Sequence, residues 1–253
     1  MSKDIIIEVQ GLVKKYGDFT AVDGISFNVY DGEIFGLLGP NGAGKTTTLE
    51  IIETLRDKTA GTITINGFSV DTQAAQIKKI IGVQLQAAGY SPSLNLTEII
   101  ALFSGLYGVE TDAGSLLDKV NLRDKARAKF KELSGGQKQR FSIATTLIHK
   151  PKIIFLDEPT TGLDPQARRN LWDLIFQIRS EGTTVVLTTH YMDEAEILCD
   201  RVAFIDCGRV MGVDTPAHFI DKLIESGFEA PKQVKQATLE DVFIHMTGKE
   251  LRE

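Results

Sequence analysis

The sequence lacks the features of several protein classes. No apolar run approaches the roughly 18 residues of a membrane-spanning helix, and no internal repeat or low-complexity linker is present. Only two cysteines occur, Cys199 and Cys207, without a CxxC pair, which favours reduced intracellular thiols over a metal site. Acidic residues outnumber basic ones by 34 to 28, so a broad basic surface for nucleic acid is not expected. The acidic start also does not resemble a signal peptide. We therefore expect an intracellular protein that binds no nucleic acid and reaches a membrane only through a partner.

Short apolar runs rich in β-branched and aromatic residues alternate with helical patterns. The pattern over residues 46–55 predicts a helix, and residues 90–150 are helical in character throughout. Asn66 and Gly67 are typical of a hairpin turn. Strands that alternate with helices predict an α/β fold with a mostly parallel sheet flanked by helices. The predicted strands are residues 5–10, 19–30, 34–38, 62–65, 152–157, 183–189 and 201–206.

A glycine-rich turn lies between the strand at 34–38 and the first helix. Residues 39–46 fit the pattern G-x-x-x-x-G-K-[ST], in which backbone N–H groups turn inward around phosphate oxygens at a helix N-terminus. Lys45 is expected to reach the β- and γ-phosphates of a nucleoside triphosphate, and the Thr46 hydroxyl to ligate Mg²⁺. The residues predicted to cradle the nucleotide are Asn41, Gly42, Ala43, Gly44, Lys45, Thr46 and Thr47.

Two adjacent acids end the predicted strand at 152–157. Asp157 is expected to support Mg²⁺, and Glu158 to polarise the attacking water as a general base. Acids at strand ends are common in proteins, so the pair alone would not decide the matter. Its position downstream of a phosphate-binding turn, followed by residues 159–164, favours the catalytic interpretation.

A second glycine turn precedes the helix that carries Phe141. The residues predicted to bind phosphate there are Ser134, Gly135, Gly136 and Gln137. A hydroxyl and bare glycine amides at a helix N-terminus form an anion site by the same logic as the first turn. The alternative is a flexible hinge. Two such turns in one chain predict a head-to-tail dimer, in which each ATP lies between the Lys45 turn of one chain and the Ser134 turn of the other.

The order of these motifs, over residues 10–210, resembles that of the ATP-binding cassette (ABC) ATPases. The resemblance implies a P-loop NTPase fold with an ABC-type core, an N-terminal antiparallel β portion and a helical subdomain inserted at about 87–150. The ATPase domain would then comprise residues 1–225, and residues 226–253 would form a C-terminal extension with a short amphipathic helix.

The resemblance also implies roles for four further residues. Tyr16 matches the aromatic residue that stacks on adenine, with a half-buried strand tyrosine as the alternative. Gln86 matches the glutamine that touches Mg²⁺ and senses the membrane partner, with Gln84 as a nearby competitor. Asp164 resembles the acid that links the two sites across the dimer. His190 stands where the family has a histidine that contacts the γ-phosphate, whereas the other three histidines, His149, His218 and His245, are predicted to be structural.

Residues 238–248 resemble the ending of ATPase subunits from ABC-2 type exporters of drugs, antibiotics or polysaccharides. The resemblance implies a cytoplasmic subunit, peripheral on the inner face of the cell membrane. It would work as a homodimer, or a heterodimer with a related subunit, and energise a separate transmembrane permease. An importer subunit is the main alternative, and a non-transport ABC ATPase the more distant one.

Overall fold

The structure, a computed structural model, describes residues 4–84 and 89–228. An antiparallel sheet lies near the N-terminus, with strands in the order β2-β1-β4-β5. A two-residue turn at Asn66 and Gly67 joins the last two of these strands, and both residues have positive φ, which confirms the predicted hairpin. The strands are β1 (Ile5–Tyr16), β2 (Phe19–Tyr30), β4 (Ala60–Ile65) and β5 (Phe68–Ser69).

A second sheet has six strands in the order β10-β9-β3-β8-β7-β6, parallel except for the edge strand β10. Every residue of β3, β7 and β8 is buried. Since successive side chains of a strand point to opposite faces, both faces of the sheet are covered there, as predicted. The strands are β3 (Ile34–Leu38), β6 (Ile81–Gln84), β7 (Ile153–Asp157), β8 (Thr184–Thr189), β9 (Arg201–Asp206) and β10 (Arg209–Asp214).

Helices connect these strands, and the segment between β6 and β7 is helical, as its pattern predicts. It also contains two short 3-10 helices, Arg123–Lys125 and Phe130–Glu132. No helix within the described ranges has the length and apolar character to cross a bilayer. The α-helices are α1 (Lys45–Ile52), α2 (Ala74–Ile77), α3 (Leu96–Tyr107), α4 (Ala113–Lys119), α5 (Gly135–Thr146), α6 (Pro165–Ser180), α7 (Met192–Leu198) and α8 (Pro216–Glu225).

The register of the parallel strands determines where the site forms. Leu38 at the end of β3 pairs with Thr189 at the end of β8, and Asp157 at the end of β7 pairs with Thr188. The carboxyl ends of parallel strands share one edge of a sheet. The glycine turn after β3, the acids at the end of β7 and His190 after β8 therefore meet at that edge.

Some elements differ from the sequence predictions. The first helix ends at Ile52 rather than near residue 55, because Thr54 adopts a left-handed conformation with φ of 61°. Strands β6 and β10 and helices α2 and α8 were not predicted. Gly212 interrupts the alternation of β10, and α2 has only four residues.

The chain divides into two compact units after His218. Only residues 219–228 of the second unit are described, so the predicted helix after Thr238 lies outside the described residues. The division into a domain of residues 1–225 and an extension of residues 226–253 stays a prediction.

Candidate nucleotide site

The turn between β3 and α1 requires glycine at its last position. Gly44 has a φ of 99°, a backbone conformation that residues other than glycine rarely adopt. A Cβ there would lie 2.6 Å from the carbonyl oxygen of Ala21. The Gly44 carbonyl accepts the amide hydrogen of Thr48 at 2.9 Å, so α1 starts at the turn and directs its N-terminal end to the site.

The Lys45 side chain is buried inside this turn, with 4% of its surface exposed. Its Nζ donates to the carbonyl oxygens of Gly39 at 2.8 Å and Pro40 at 3.0 Å. The same atom lies 3.7 Å from Oε1 of Glu158. The ammonium group is therefore held between the phosphate-binding turn and the carboxylate predicted to act as general base.

Asp157 is held by hydroxyl groups from two directions. Thr46 Oγ1, on α1, donates to its two carboxylate oxygens at 3.2 and 3.3 Å, and Thr188 Oγ1, on β8, donates to Oδ1 at 2.5 Å. Hydroxyl and carboxylate oxygens suit Mg²⁺, which commonly takes one or two protein ligands together with phosphates and waters. The described residues contain no cluster of three or more His, Cys, Asp or Glu that could hold a metal by itself. The chemistry of this donor set thus fits Mg²⁺ bound together with a nucleotide.

Glu158 has the most constrained backbone of the site. Its φ of 46° lies in the left-handed region, which is unfavourable for a residue with a side chain. Its amide donates to Oγ1 of Thr188 at 3.0 Å. The carboxylate lies 3.2 Å from Nδ1 of His190 and accepts a hydrogen bond of 3.2 Å from Thr161 Oγ1. With Lys45, three side chains from three segments converge on this carboxylate.

An open cleft of about 290 Å³ lies over the turn. The hairpin between β1 and β2 supplies its aromatic wall, since Tyr16 and Phe19 pair with each other across a two-residue turn. The Tyr16 hydroxyl accepts a hydrogen bond from Arg56 at 2.5 Å, and its ring is 43% exposed. The lining residues are Tyr16, Phe19, Ala21, Asn41, Gly42, Gly44, Lys45, Thr46, Thr47 and Glu158.

A buried carboxyl group lies at the other end of α1. Glu53 has 2% of its surface exposed. Burial, and to a lesser extent the negative charges of Asp157 and Glu50, raises the pKa of this carboxyl to about 8. Glu53 therefore favours the neutral form at neutral pH, which limits the negative charge on the Asp157 side of the helix.

The second glycine turn has a different setting. Ser134 is exposed and caps α5, and none of its neighbours in the turn lines the described cleft. Its Oγ accepts the Gln137 amide hydrogen at 3.3 Å, and its own amide donates to Oε1 of Gln137 at 2.9 Å, which forms a capping box. The turn has the helix N-terminus that an anion needs, without a lysine or acid opposite it among these contacts.

Comparison with known proteins identifies the chain. The family model described as "ABC transporter" matches residues 22–161, more than half of the chain. The chain belongs to this family. Nod factor export ATP-binding protein I of Burkholderia orbicola (strain AU 1054) is 42% identical over 223 residues, covering 86% of this chain and 73% of the relative. Linearmycin resistance ATP-binding protein LnrL of Bacillus subtilis (strain 168) is 38% identical, covering 86% and 72%.

Solved structures agree with this assignment. The dimeric post-hydrolysis state of the ATP-binding cassette MJ0796, bound to ADP and Pi, has a TM-score of 0.74 and 28% identity, covering 83% of this chain and 98% of that one. The chain is thus the ATP-binding, ATP-hydrolysing subunit of an ABC transporter, a class of subunit that works with a transmembrane permease. The predicted family, fold and enzyme class are confirmed.

Three further predicted site residues of this ABC ATPase are Asp164, Ala43 and Gln86. Asp164 caps α6, where its Oδ1 accepts the amide hydrogens of Gln166 at 3.0 Å and Ala167 at 2.9 Å. Ala43 is buried, and its amide donates to the Pro40 carbonyl at 3.2 Å within the turn. Gln86 lies outside the described residues. Its competitor Gln84 ends β6 as a buried side chain.

Sequence reasoning missed Thr188 and Phe19. Thr188 is fully buried, yet one hydroxyl group serves both acids, since it donates to Asp157 and accepts from Glu158. β8 has three threonines, Thr184, Thr188 and Thr189, so the sequence alone did not single out Thr188. Phe19 is 65% exposed beside Tyr16, and its place at the end of a predicted hairpin could have suggested the cleft.

Proposed function

We propose that two such subunits, either two copies of this chain or this chain and a related one, close head-to-tail around two ATP molecules and drive a transmembrane permease in the direction of export. One observation carries the proposal. The catalytic centre at the edge of the parallel sheet has its lysine, acids and histidine, whereas the Ser134 turn is an exposed anion site on another part of the chain. A second chain gives this turn a partner.

The residues of the sheet edge have distinct roles in the proposed site. Lys45 and the turn amides bind the β- and γ-phosphates. Thr46 and Asp157, with Gln86 as a further predicted ligand, would hold Mg²⁺, which neutralises phosphate charge when bound. Tyr16 packs on the adenine ring at the mouth of the cleft, and the other predicted turn residues contribute backbone N–H groups.

Hydrolysis then depends on Glu158 and His190. Glu158 accepts a proton from the attacking water as the water oxygen bonds to the γ-phosphorus and the bond to the ADP oxygen breaks. His190 contacts the γ-phosphate and, at 3.2 Å, orients the Glu158 carboxylate. Lys45 Nζ lies 3.7 Å from the same carboxylate oxygen, Oε1.

ATP acts in this scheme as a clamp between subunits. A ligand bound across an interface stabilises the closed dimer by mass action, and its hydrolysis removes that stabilisation. Asp164, at the N-terminus of α6, is proposed to link the two sites across the dimer. The dimeric form of the MJ0796 cassette bound to ADP and Pi supports this arrangement.

The direction of transport is inferred from relatives. The Burkholderia relative is named for Nod factor export and the Bacillus relative for linearmycin resistance. Both names favour export over the importer alternative. We therefore place the subunit in the cytoplasm, peripheral on the inner face of the membrane through its permease.

The substitution Glu158→Gln tests the proposal. It removes the general base but keeps the size of the side chain, so hydrolysis should fall by at least about 100-fold. ATP should still bind, and a long-lived dimer should appear in size-exclusion chromatography with ATP and Mg²⁺. Glu196→Gln, at an exposed position of α7, is the matched control and should behave like the unmodified protein. Near-normal hydrolysis in Glu158→Gln would exclude Glu158 as the base, and a variant that stays monomeric with ATP would exclude a clamp between two copies of this chain.

A further inference from the structure

We propose that Arg168 is a positioning residue for hydrolysis, which acts through the ring of Tyr191 to hold His190 against Glu158. This inference rests on the proposed roles of His190 and Glu158. Arg168 does not touch the cleft itself. Its influence on the rate would pass through contacts between helix α6 and the segment that joins β8 to α7.

The guanidinium group of Arg168 makes one contact with that segment and one with the first turn of α7. Its Cζ lies 4.7 Å from the centre of the Tyr191 ring, a distance at which a cation is attracted to the aromatic face. Its Nη1 lies 3.4 Å from Oδ2 of Asp193, in the first turn of α7. The Arg168 side chain is 23% exposed and that of Asp193 is 60% exposed, so solvent weakens this ion pair and the contact with the Tyr191 ring carries the argument.

Tyr191 passes this restraint to the catalytic pair. Its ring centre lies 4.2 Å from that of His190, with the planes tilted by 37°. Its amide donates to Oγ1 of Thr189 at 3.0 Å, which ties the backbone of the segment to the end of β8. His190 Nδ1 lies 3.2 Å from Oε1 of Glu158. Arg168, Tyr191, His190 and Glu158 thus form a continuous series of contacts.

A second contact fastens the same two elements. Trp172, one helical turn after Arg168, donates its Nε1–H to the buried carboxylate of Glu194 at 3.2 Å. This bond keeps α6 and α7 together when Arg168 is changed. Loss of the Arg168 charge should therefore release Tyr191 locally, without separating the helices.

Helix α6 also packs on the signature turn, the segment of Ser134, Gly135 and Gly136. A Cβ at Gly136 would lie 2.9 Å from Cβ of Ala167, so this glycine is required by the close approach of α6. Ala167 directly precedes Arg168 in the first turns of α6. The N-terminal end of α6 therefore connects the signature turn with His190. In the proposed dimer these two act on different ATP molecules.

The first experiment compares two neighbouring arginines. Arg168→Met removes the charge but keeps a long apolar chain, and kcat for ATP should fall about 10-fold, as expected for a misplaced catalytic group. KM should stay within about twofold, because Lys45 and the turn are unchanged. Arg169→Met is the control, since Arg169 is exposed and contacts only Gln166 of its own helix among the hydrogen bonds described. Equal rates for Arg168→Met and the control would overturn the proposal.

The ring of Tyr191 has its own pair of variants. Tyr191→Leu removes the aromatic face and should lower kcat to a similar extent, whereas Tyr191→Phe keeps the face and should retain most of the rate. Combining Arg168→Met with Tyr191→Leu should cost little more than either change alone, because both break the same series of contacts. Losses that multiply in the double variant would show that Arg168 acts independently of Tyr191.

A spectroscopic measurement separates this inference from the proposed function. The chain has four histidines, so the imidazole resonances of His190 can be assigned in a nitrogen–proton correlation spectrum by their loss in His190→Ala. Arg168→Met should shift the His190 resonances and leave those of His218 in place, with no shift in Arg169→Met. Unchanged His190 resonances in Arg168→Met would overturn the positioning role. A normal hydrolysis rate in His190→Ala would instead remove His190 from the proposed mechanism.

Discussion

The two glycine turns of this chain open α1 and α5, and both present backbone N–H groups at a helix N-terminus. They differ in what surrounds them. Lys45 in the first turn is buried and approaches the carboxylate of Glu158, whereas Ser134 in the second is exposed and bonds to its own helix at Gln137. The same local chemistry can thus lie in a buried cluster of charged side chains or at an open surface, depending on the elements that lie opposite.

The sheet explains the difference. The first turn follows β3. The adjacent strand β8 and the next strand, β7, bring Thr188 and Asp157 to the same edge by their register. The second turn follows a 3-10 helix, Phe130–Glu132, and no strand end faces it in the hydrogen bonds described. A turn of this kind can bind phosphate strongly only when another molecule covers it, because exposed charge interactions are weakened by water and salt.

The largest expected effect comes from blocking the open turn. Ser134→Arg places a long, charged side chain where a second subunit approaches in the proposed dimer, so hydrolysis should fall by at least about 100-fold, as for the loss of transition-state donors. ATP binding to the monomer, measured by calorimetry, should stay unchanged because Lys45 and its turn are intact. This outcome would show that the Lys45 turn binds ATP in the monomer, whereas the Ser134 turn acts only when a second subunit is present.

A matched variant controls for the lost helix cap. Asn95 caps α3 through the same reciprocal capping box, with Glu98. Asn95→Arg should therefore lose a similar amount of stability, about 1 kcal/mol, and keep its hydrolysis rate. If Ser134→Arg hydrolyses ATP as fast as Asn95→Arg, the composite site is wrong.

The two turns also differ in how far the sequence could predict them. Gly39 to Thr46 could be placed between a strand and a helix, because its chemistry is local and the flanking patterns are clear. The contribution of Thr188 could not be foreseen, since it depends on which strands are neighbours. The order β3-β8-β7 places β8 between the two strands that carry the known motifs, and a pattern of apolar residues does not contain this order.

The contacts of the signature turn were equally beyond the sequence. Gly136 could be assigned a backbone role from its type alone, whereas its close approach to Ala167 is a property of how α5 packs on α6. The Asp164 carboxylate was predicted to act between sites, and the structure adds its hydrogen bonds to two amides of α6. Helix packing of this kind depends on distant side chains, so local patterns do not reveal it.

An intermediate effect is expected from Thr188, which tests whether the buried residues beside the first turn contribute to hydrolysis. Thr188→Val keeps the shape but removes the hydroxyl that bonds to Asp157 and to the amide of Glu158. The loss of a hydrogen bond to a charged group corresponds to about a 10-fold lower kcat. ATP binding without Mg²⁺ should be nearly unaffected, because neither bond involves the phosphate-binding turn.

Thr188→Ser supplies the control, since it keeps the hydroxyl and loses only a methyl group. Its rate should be close to that of the unmodified protein. Equal rates for the valine and serine variants would mean that the Thr188 hydroxyl, which bonds to both acids, has no part in hydrolysis.

The smallest effect is expected at Tyr16, on the outer wall of the first site. Tyr16 is exposed, as are Ser134 and Gly135 of the signature turn. Its ring is oriented by the hydrogen bond from Arg56, and Lys14 Nζ lies 5.0 Å from the ring centre. Tyr16→Leu should weaken ATP binding by about 5-fold, a stacking contribution of about 1 kcal/mol. Inorganic tripolyphosphate, which has no base, should bind the variant and the unmodified protein equally. An equal loss of affinity for both ligands would mean that Tyr16 does not stack on adenine. Its effect would then come from the shape of the phosphate-binding turn.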